Sequence, residues 1–102
     1  METQELKHVL DTDFAPYLNQ KLNIGFSQEI TLSAELIAVT KLGGYSPLER
    51  NPFSIVLRTE QKTEYYQQGT YIIQHPSKGE MLIFLVPLGL DKEGMKYEAI
   101  FS

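Results

Sequence analysis

The spacing of apolar residues changes once along the chain. Over the first twenty residues it is helical. Leu6, Val9 and Leu10 fall at i, i+3 and i+4, and Phe14, Tyr17 and Leu18 repeat that spacing after Asp11-Thr12-Asp13. The Asp-Thr-Asp break offers N-cap side chains, and Pro16 falls in a first helical turn, where its missing N–H does little harm. This predicts a short N-terminal helical segment over residues 1–20. From Lys21 onward the period is two. Leu22 and Ile24 alternate with polar residues, Gly25-Phe26-Ser27-Gln28 reads as a turn, and Ile30, Leu32, Ala34, Leu36 and Ala38 form the longest alternating row. Ile37 and Val39 add apolar positions to the other face, which predicts a bent strand covered at its far end.

The stretch from Leu42 to Asn51, carrying Gly43-Gly44, has no period and is read as a loop. Phe53, Ile55 and Leu57 then alternate as a strand. Glu60 to Gln68 is polar apart from Tyr65-Tyr66, a loop with at most a short edge strand. Three strands follow, Thr70–Gln74, Met81–Leu88 and Met95–Phe101, joined by Gly-containing connections of four or five residues, the length of antiparallel hairpin loops. Met81-Leu82-Ile83-Phe84-Leu85-Val86 is apolar on both faces and is expected to be the central strand of this meander.

Six or seven short strands with sequential hairpins predict an all-β single domain over residues 1–102, with a β core at 21–102. The architecture is a small antiparallel barrel or sandwich, one opening covered by the N-terminal segment. Its expected core is Leu32, Leu36, Phe53, Ile55, Leu57, Tyr71, Ile73, Ile83, Leu85, Tyr97 and Phe101. With 102 residues, 42% of them hydrophobic, the chain can bury one core and no more. A net charge of -4 argues against a nucleic-acid surface. No apolar run is long enough to span a membrane and no basic-then-apolar leader opens the chain, so a cytoplasmic protein with no membrane insertion is expected. Zero Cys removes disulfides, thiolate nucleophiles and thiolate metal sites, and leaves the redox compartment open.

Candidate chemistry is sparse. His8 and His75 lack helical i, i+4 spacing and a bracketing carboxylate cluster, and His75 is expected to cap its turn by accepting a backbone N–H. Asp91-Lys92-Glu93-Gly94 is too short for a calcium loop and reads as a turn ending on a left-handed glycine. Gly43-Gly44 is no phosphate cradle, and the serines lie outside every nucleophile motif. No acid–base dyad can be named, so no enzyme and no cofactor are expected. What remains is surface: Tyr45, Tyr65 and Tyr66 in the two irregular loops, flanked by Arg50 and Arg58, are the candidate partner-binding residues. Alternatively only one of Tyr65 and Tyr66 points outward.

The string Pro52-Phe53-Ser54-Ile55-Val56-Leu57-Arg58, followed by Gln68-Gly69-Thr70-Tyr71, His75-Pro76, Gly79 and Phe84-Leu85-Val86-Pro87, resembles a family of small bacterial proteins of the DUF6916 type. The ending Tyr97-Glu98-Ala99-Ile100-Phe101 and the early Phe14-Ala15-Pro16 are similar too. The resemblance carries no assigned activity. It implies an accessory part of a larger, phage-tail-like or surface assembly. Among these positions Gly69 and Gly94 precede strands and are expected at positive φ, and Pro87 is expected at an edge or bulge.

The sequence therefore supports a non-enzymatic interaction or structural module that associates with a protein partner or with itself. The alternative is a small-molecule-binding barrel, which the many large core side chains disfavour. If no structural metal is held, chelator treatment leaves the melting temperature unchanged. A drop of several degrees would show that His8 or His75 ligates a metal.

Overall fold

The computed structural model describes residues 9–42 and 52–101. Expectations about Leu6, His8, Tyr45, Arg50 and Gly43-Gly44 lie outside these residues. Six strands form a closed antiparallel barrel: β1 (Lys21–Gly25), β2 (Thr31–Lys41), β3 (Phe53–Thr59), β4 (Gly69–His75), β5 (Gly79–Leu90) and β6 (Met95–Phe101). Around the wall they run β1-β2-β3-β6-β5-β4 and back to β1. The barrel is thus two three-stranded meanders, β1–β3 and β4–β6, sewn together by the β3–β6 and β1–β4 ladders. Residues 60–68 form the covalent link between them and contain no strand.

Alternation decides which side chains enter. Leu22, Ile24, Leu36, Ile55, Leu57, Ile73, Met81, Ile83 and Leu85 are buried inside the wall, at roughly 1.5–3 kcal/mol for each large side chain. β2 departs from strict alternation for an identifiable reason. Its register against β3 shifts between Leu36 and Ala38, so Ile37 is an extra residue in a β-bulge. The bulge resets the phase: Val39, opposite Ile55, joins the core, and Ala38, which the pattern placed in the inward row, pairs with Val56 instead. A second bulge lies in β5 between Pro87 and Gly89, as expected from a proline that has no ladder N–H to give.

Both ends of the barrel are sealed by aromatic rings. At one end the N-terminal segment forms two single 3₁₀ turns, Asp11–Asp13 and Ala15–Tyr17, rather than the expected longer helical piece. Pro16 and the competing Asp and Thr side chains favour turns over helix here. Phe14 is fully buried, its ring 5.8 Å from Phe101, 6.4 Å from Phe53 and 5.2 Å from His75. His75 caps its turn as expected. Nδ1 accepts the backbone N–H groups of Ser77 and Lys78, both at 3.1 Å, and Nε2 donates to the Asp13 carbonyl at 2.6 Å. The Asp13 carboxylate accepts the Leu10 N–H and pairs with Lys78. One imidazole thereby ties the N-terminal turns to the β4–β5 hairpin. Leu18, expected on the face of Phe14 and Tyr17, is exposed because the chain leaves the 3₁₀ turn before it.

At the other end Phe26, expected in a solvent-facing turn, is buried. Tyr66 stacks on it at 4.4 Å and Tyr71 meets it edge-on at 4.8 Å. Two expected core residues are corrected: Leu32 and Tyr71 sit at this rim and are only half-buried. As expected, β5 is the central strand of its meander; Leu82 and Phe84 on its outer face are exposed, since no second layer packs there among the described residues.

The expected glycines separate into different cases. Gly69 is not among the positive-φ residues. Gly94 is required by a close approach, not by a left-handed turn: a Cβ there would stand 1.7 Å from the Thr59 carbonyl oxygen. Gly79, at φ +78°, has open space around it. Gly94→Ala is therefore expected to cost about 3 kcal/mol or more, roughly a 14 °C fall in melting temperature. Gly79→Ala should cost about 1 kcal/mol. Denaturant titration of both variants checks this, and equal losses would remove the steric account.

Candidate interaction face

The wall between β5 and β6 is incomplete. Their ladder runs from Leu90↔Met95 to Val86↔Glu98 and stops there. Continued, it would pair Phe84 with Ile100; instead β5 pairs only with β4 over Gly79–Leu85, and β6 only with β3 over Ala99–Phe101. A cavity of about 250 Å³ occupies the split, lined by Ile83, Phe84, Val86, Glu98, Ile100 and Phe101. Ile83 and Phe101 at its floor stay buried, so the slot is a surface depression in the wall. Its rim is greasy: Phe84 is 50% and Ile100 62% exposed.

Towards the opposite end of the same strands lies a β-bulge. The Pro87/Gly89 bulge leaves Leu88 as the extra residue, 49% exposed, with exposed Leu90 beside it. Tyr65, 60% exposed, lies against them: it shares a groove of about 360 Å³ with Pro87, Leu88, Gly89, Leu90 and Met95. Between slot and bulge, Lys96 and Glu98 stand two residues apart on β6, half-buried, on its outward positions.

The sequence-predicted residues are distributed unevenly around this face. Tyr65 borders it. Tyr66 turns inward, stacks on Phe26, and gives its backbone N–H to the Tyr97 hydroxyl at 2.9 Å. Arg58 is engaged on the outer wall by Asp91 (3.1 Å), Glu93 (2.8 Å) and Glu35 (3.4 Å), which staples β3 to β2 and to the β5–β6 turn. That turn is itself capped by Asp91, whose Oδ1 accepts the Glu93 and Gly94 N–H groups. The Glu93 N–H above all, then that of Gly94 and the Arg58 guanidinium, holds the Asp91 carboxyl below the usual carboxylate range against the desolvation that opposes it. The residues that sequence reasoning did not name are Phe84, Leu88 and Ile100. The signal for Phe84 and Leu88 lies in the apolar residues on the second face of β5.

Among the described residues no group of three His, Asp or Glu side chains is placed to hold a metal ion, and no helix is long and apolar enough to cross a membrane. The fold and the exposed sheet face define a small closed β-barrel whose distinctive surface is apolar. The chain belongs to the family described as a domain of unknown function, DUF6916, whose family model matches residues 11–101. No curated protein and no solved structure matches it.

One polar junction supports the Tyr65 side of the face from beneath. The Tyr97 hydroxyl donates to Gln61 Oε1 at 2.7 Å and accepts from Tyr66, and Thr59 donates to the same Gln61 oxygen at 2.9 Å. Burial raises the Tyr97 pKa above its ordinary value near 10. The unfolded phenol therefore ionises first, so the stability contributed by neutral Tyr97 is complete below that value and declines as pH rises past it. Tyr97→Phe, which orphans the Tyr66 N–H and removes one donor to Gln61, is expected to cost about 1–3 kcal/mol at neutral pH. The gap between wild type and variant should narrow from about pH 9 to about pH 11. Urea titrations at both pH values test the sign, and a gap that widens would refute the assignment.

Proposed function

We propose that this protein is a non-enzymatic interaction module, an accessory part of a larger protein assembly, and that it docks through the outer face of β5 and β6. The observation that carries the reading is the exposed set Phe84, Leu88, Leu90 and Ile100 beside an apolar slot between β5 and β6. Exposed side chains of this size in one contiguous patch are a feature of surfaces that pair with another surface. The barrel supplies a rigid frame for them, since both its ends are plugged and its wall carries their backbone. The small-molecule alternative finds less support, because Tyr97, Phe14, Phe53 and the aliphatic side chains fill the interior that a ligand would need.

A photo-crosslinking amino acid placed at Phe84, in cells that naturally make the protein, is expected to give a defined covalent adduct with a protein. The same group at Ser33, on the exposed face of β2, should give little. Equal adduct formation at both positions, or none at Phe84, would refute the docking face.

A further inference from the structure

We infer that His75 is an acid-released latch: a second proton on its imidazole frees the N-terminal turns and uncovers the barrel mouth that Phe14 fills. The ring is 3% exposed, too enclosed for solvent to replace a lost partner. Its surroundings specify one protonation state. Nε2 carries the proton and donates it to the Asp13 carbonyl at 2.6 Å. Nδ1 is bare, because it accepts the backbone N–H groups of Ser77 and Lys78, each at 3.1 Å. A proton on Nδ1 turns this acceptor into a donor that faces two donors. The Ser77 hydroxyl, 3.3 Å away, could accept from it, but both backbone N–H groups would still lack an acceptor. The imidazolium therefore suits the open arrangement, in which water reaches all of these groups, better than the closed one.

The latch holds one end of a short strap. The other end is tied to β2, where the Asn19 N–H donates to the Leu36 carbonyl at 2.7 Å and the Leu36 N–H to the Gln20 carbonyl at 2.9 Å. Between these fastenings Phe14 and Tyr17 pack edge-on with the His75 ring, at 5.2 and 5.1 Å. Release at His75 thus lets the turns swing about Asn19 and Gln20, and exposes Phe53 and Phe101, which stack at 4.6 Å beneath Phe14. Among the described residues, the other ionisable groups on the elements around the ring are Asp11, Asp13 and Tyr17 on the turns, Lys78 and Glu80 on the hairpin, and Lys41 on β2. Asp13 pairs with Lys78 at 3.5 Å and Asp11 with Lys41 at 3.9 Å. Carboxylates titrate well below a free imidazole, whose midpoint is about pH 6.5, and Tyr and Lys well above it. Below that midpoint the open state binds more protons than the closed one. Closure is therefore complete above it and weakens as pH falls, by up to about tenfold per pH unit.

Amide hydrogen exchange on the purified chain at pH 7.5 and pH 5, corrected for intrinsic exchange, tests the latch. Protection at Phe14, Tyr17, Ser77 and Lys78 should fall about tenfold or more at the lower pH, while that of Ile55 and Leu57 in the wall is kept. In His75→Asn the amide oxygen can still accept the hairpin N–H groups but takes up no proton. Its strap should be less protected than wild type at pH 7.5 and equally protected at both pH values. Asp13→Asn keeps the backbone carbonyl and should keep the pH dependence. Unchanged protection in the wild-type strap overturns the inference, as does an undiminished fall in His75→Asn. Loss of the effect in Asp13→Asn would move the trigger to a carboxylate, and a parallel fall at Ile55 and Leu57 would make it whole-barrel unfolding; either result also overturns the latch.

Discussion

Six antiparallel strands can close only around an interior as wide as their own side chains, and the rest of this structure answers to that narrowness. Nothing but aliphatic and aromatic groups fits inside, so every ring too large for the row along the axis is used at an end. Phe14 stops one mouth, with Phe53, Phe101 and the His75 ring around it; Phe26, Tyr66 and Tyr71 stop the other. Two compact junctions satisfy buried polar groups at the ends, His75 with Asp13, Ser77 and Lys78, and Tyr97 with Gln61 and Tyr66. Each junction joins segments far apart in sequence, so the plugs at the two ends also hold the meanders together.

The same narrowness governs the wall. A strand of twelve residues such as β5 cannot stay in register with a seven-residue neighbour along its whole length in so tightly curved a sheet. The first seven residues of β5 pair with β4 and its last five lie along β6, with a bulge at Pro87–Gly89 and a split beyond Val86. The bulge and the slot of the candidate face both lie where β5 passes from one partner strand to the other.

Much of the fold could be read from period alone. The strands beginning at Lys21, Phe53 and Met95, the hairpins at His75–Gly79 and Asp91–Gly94, and the role of His75 all follow from local pattern and side-chain chemistry. What could not be read depends on distant backbone. The closeness of Thr59 to Gly94 is a contact between β3 and the β5–β6 turn, so the glycine was legible and its reason was not. Ile37 looked like a second apolar face because a bulge is invisible until the partner strand is in place. Phe26 looked like a turn residue because the loop that covers it starts thirty-four positions later. For the candidate face, Tyr65 was legible from its loop. Phe84 and Ile100 were not, because two-faced apolar strands are usually covered and period does not say whether a cover exists.

The exposed half of β5 has a consequence for the history of each molecule before it is folded. Met81-Leu82-Ile83-Phe84-Leu85-Val86 is six residues of strand-forming, uncharged side chains without proline or glycine, the composition of a cross-β spine. In the finished barrel one edge of this segment is occupied by β4, while the edge facing β6 has no strand on it below Val86. Glu80 and Pro87 stand at its two boundaries, a charge before it and a residue with no N–H after it, in the places where gatekeepers interrupt runaway stacking. Such a segment is costly to carry, and every nascent chain must bring it to β4 before it meets the same segment of a neighbour. The face proposed for docking is thus also where disordered association would begin, and Glu80 and Pro87 stand at its boundaries.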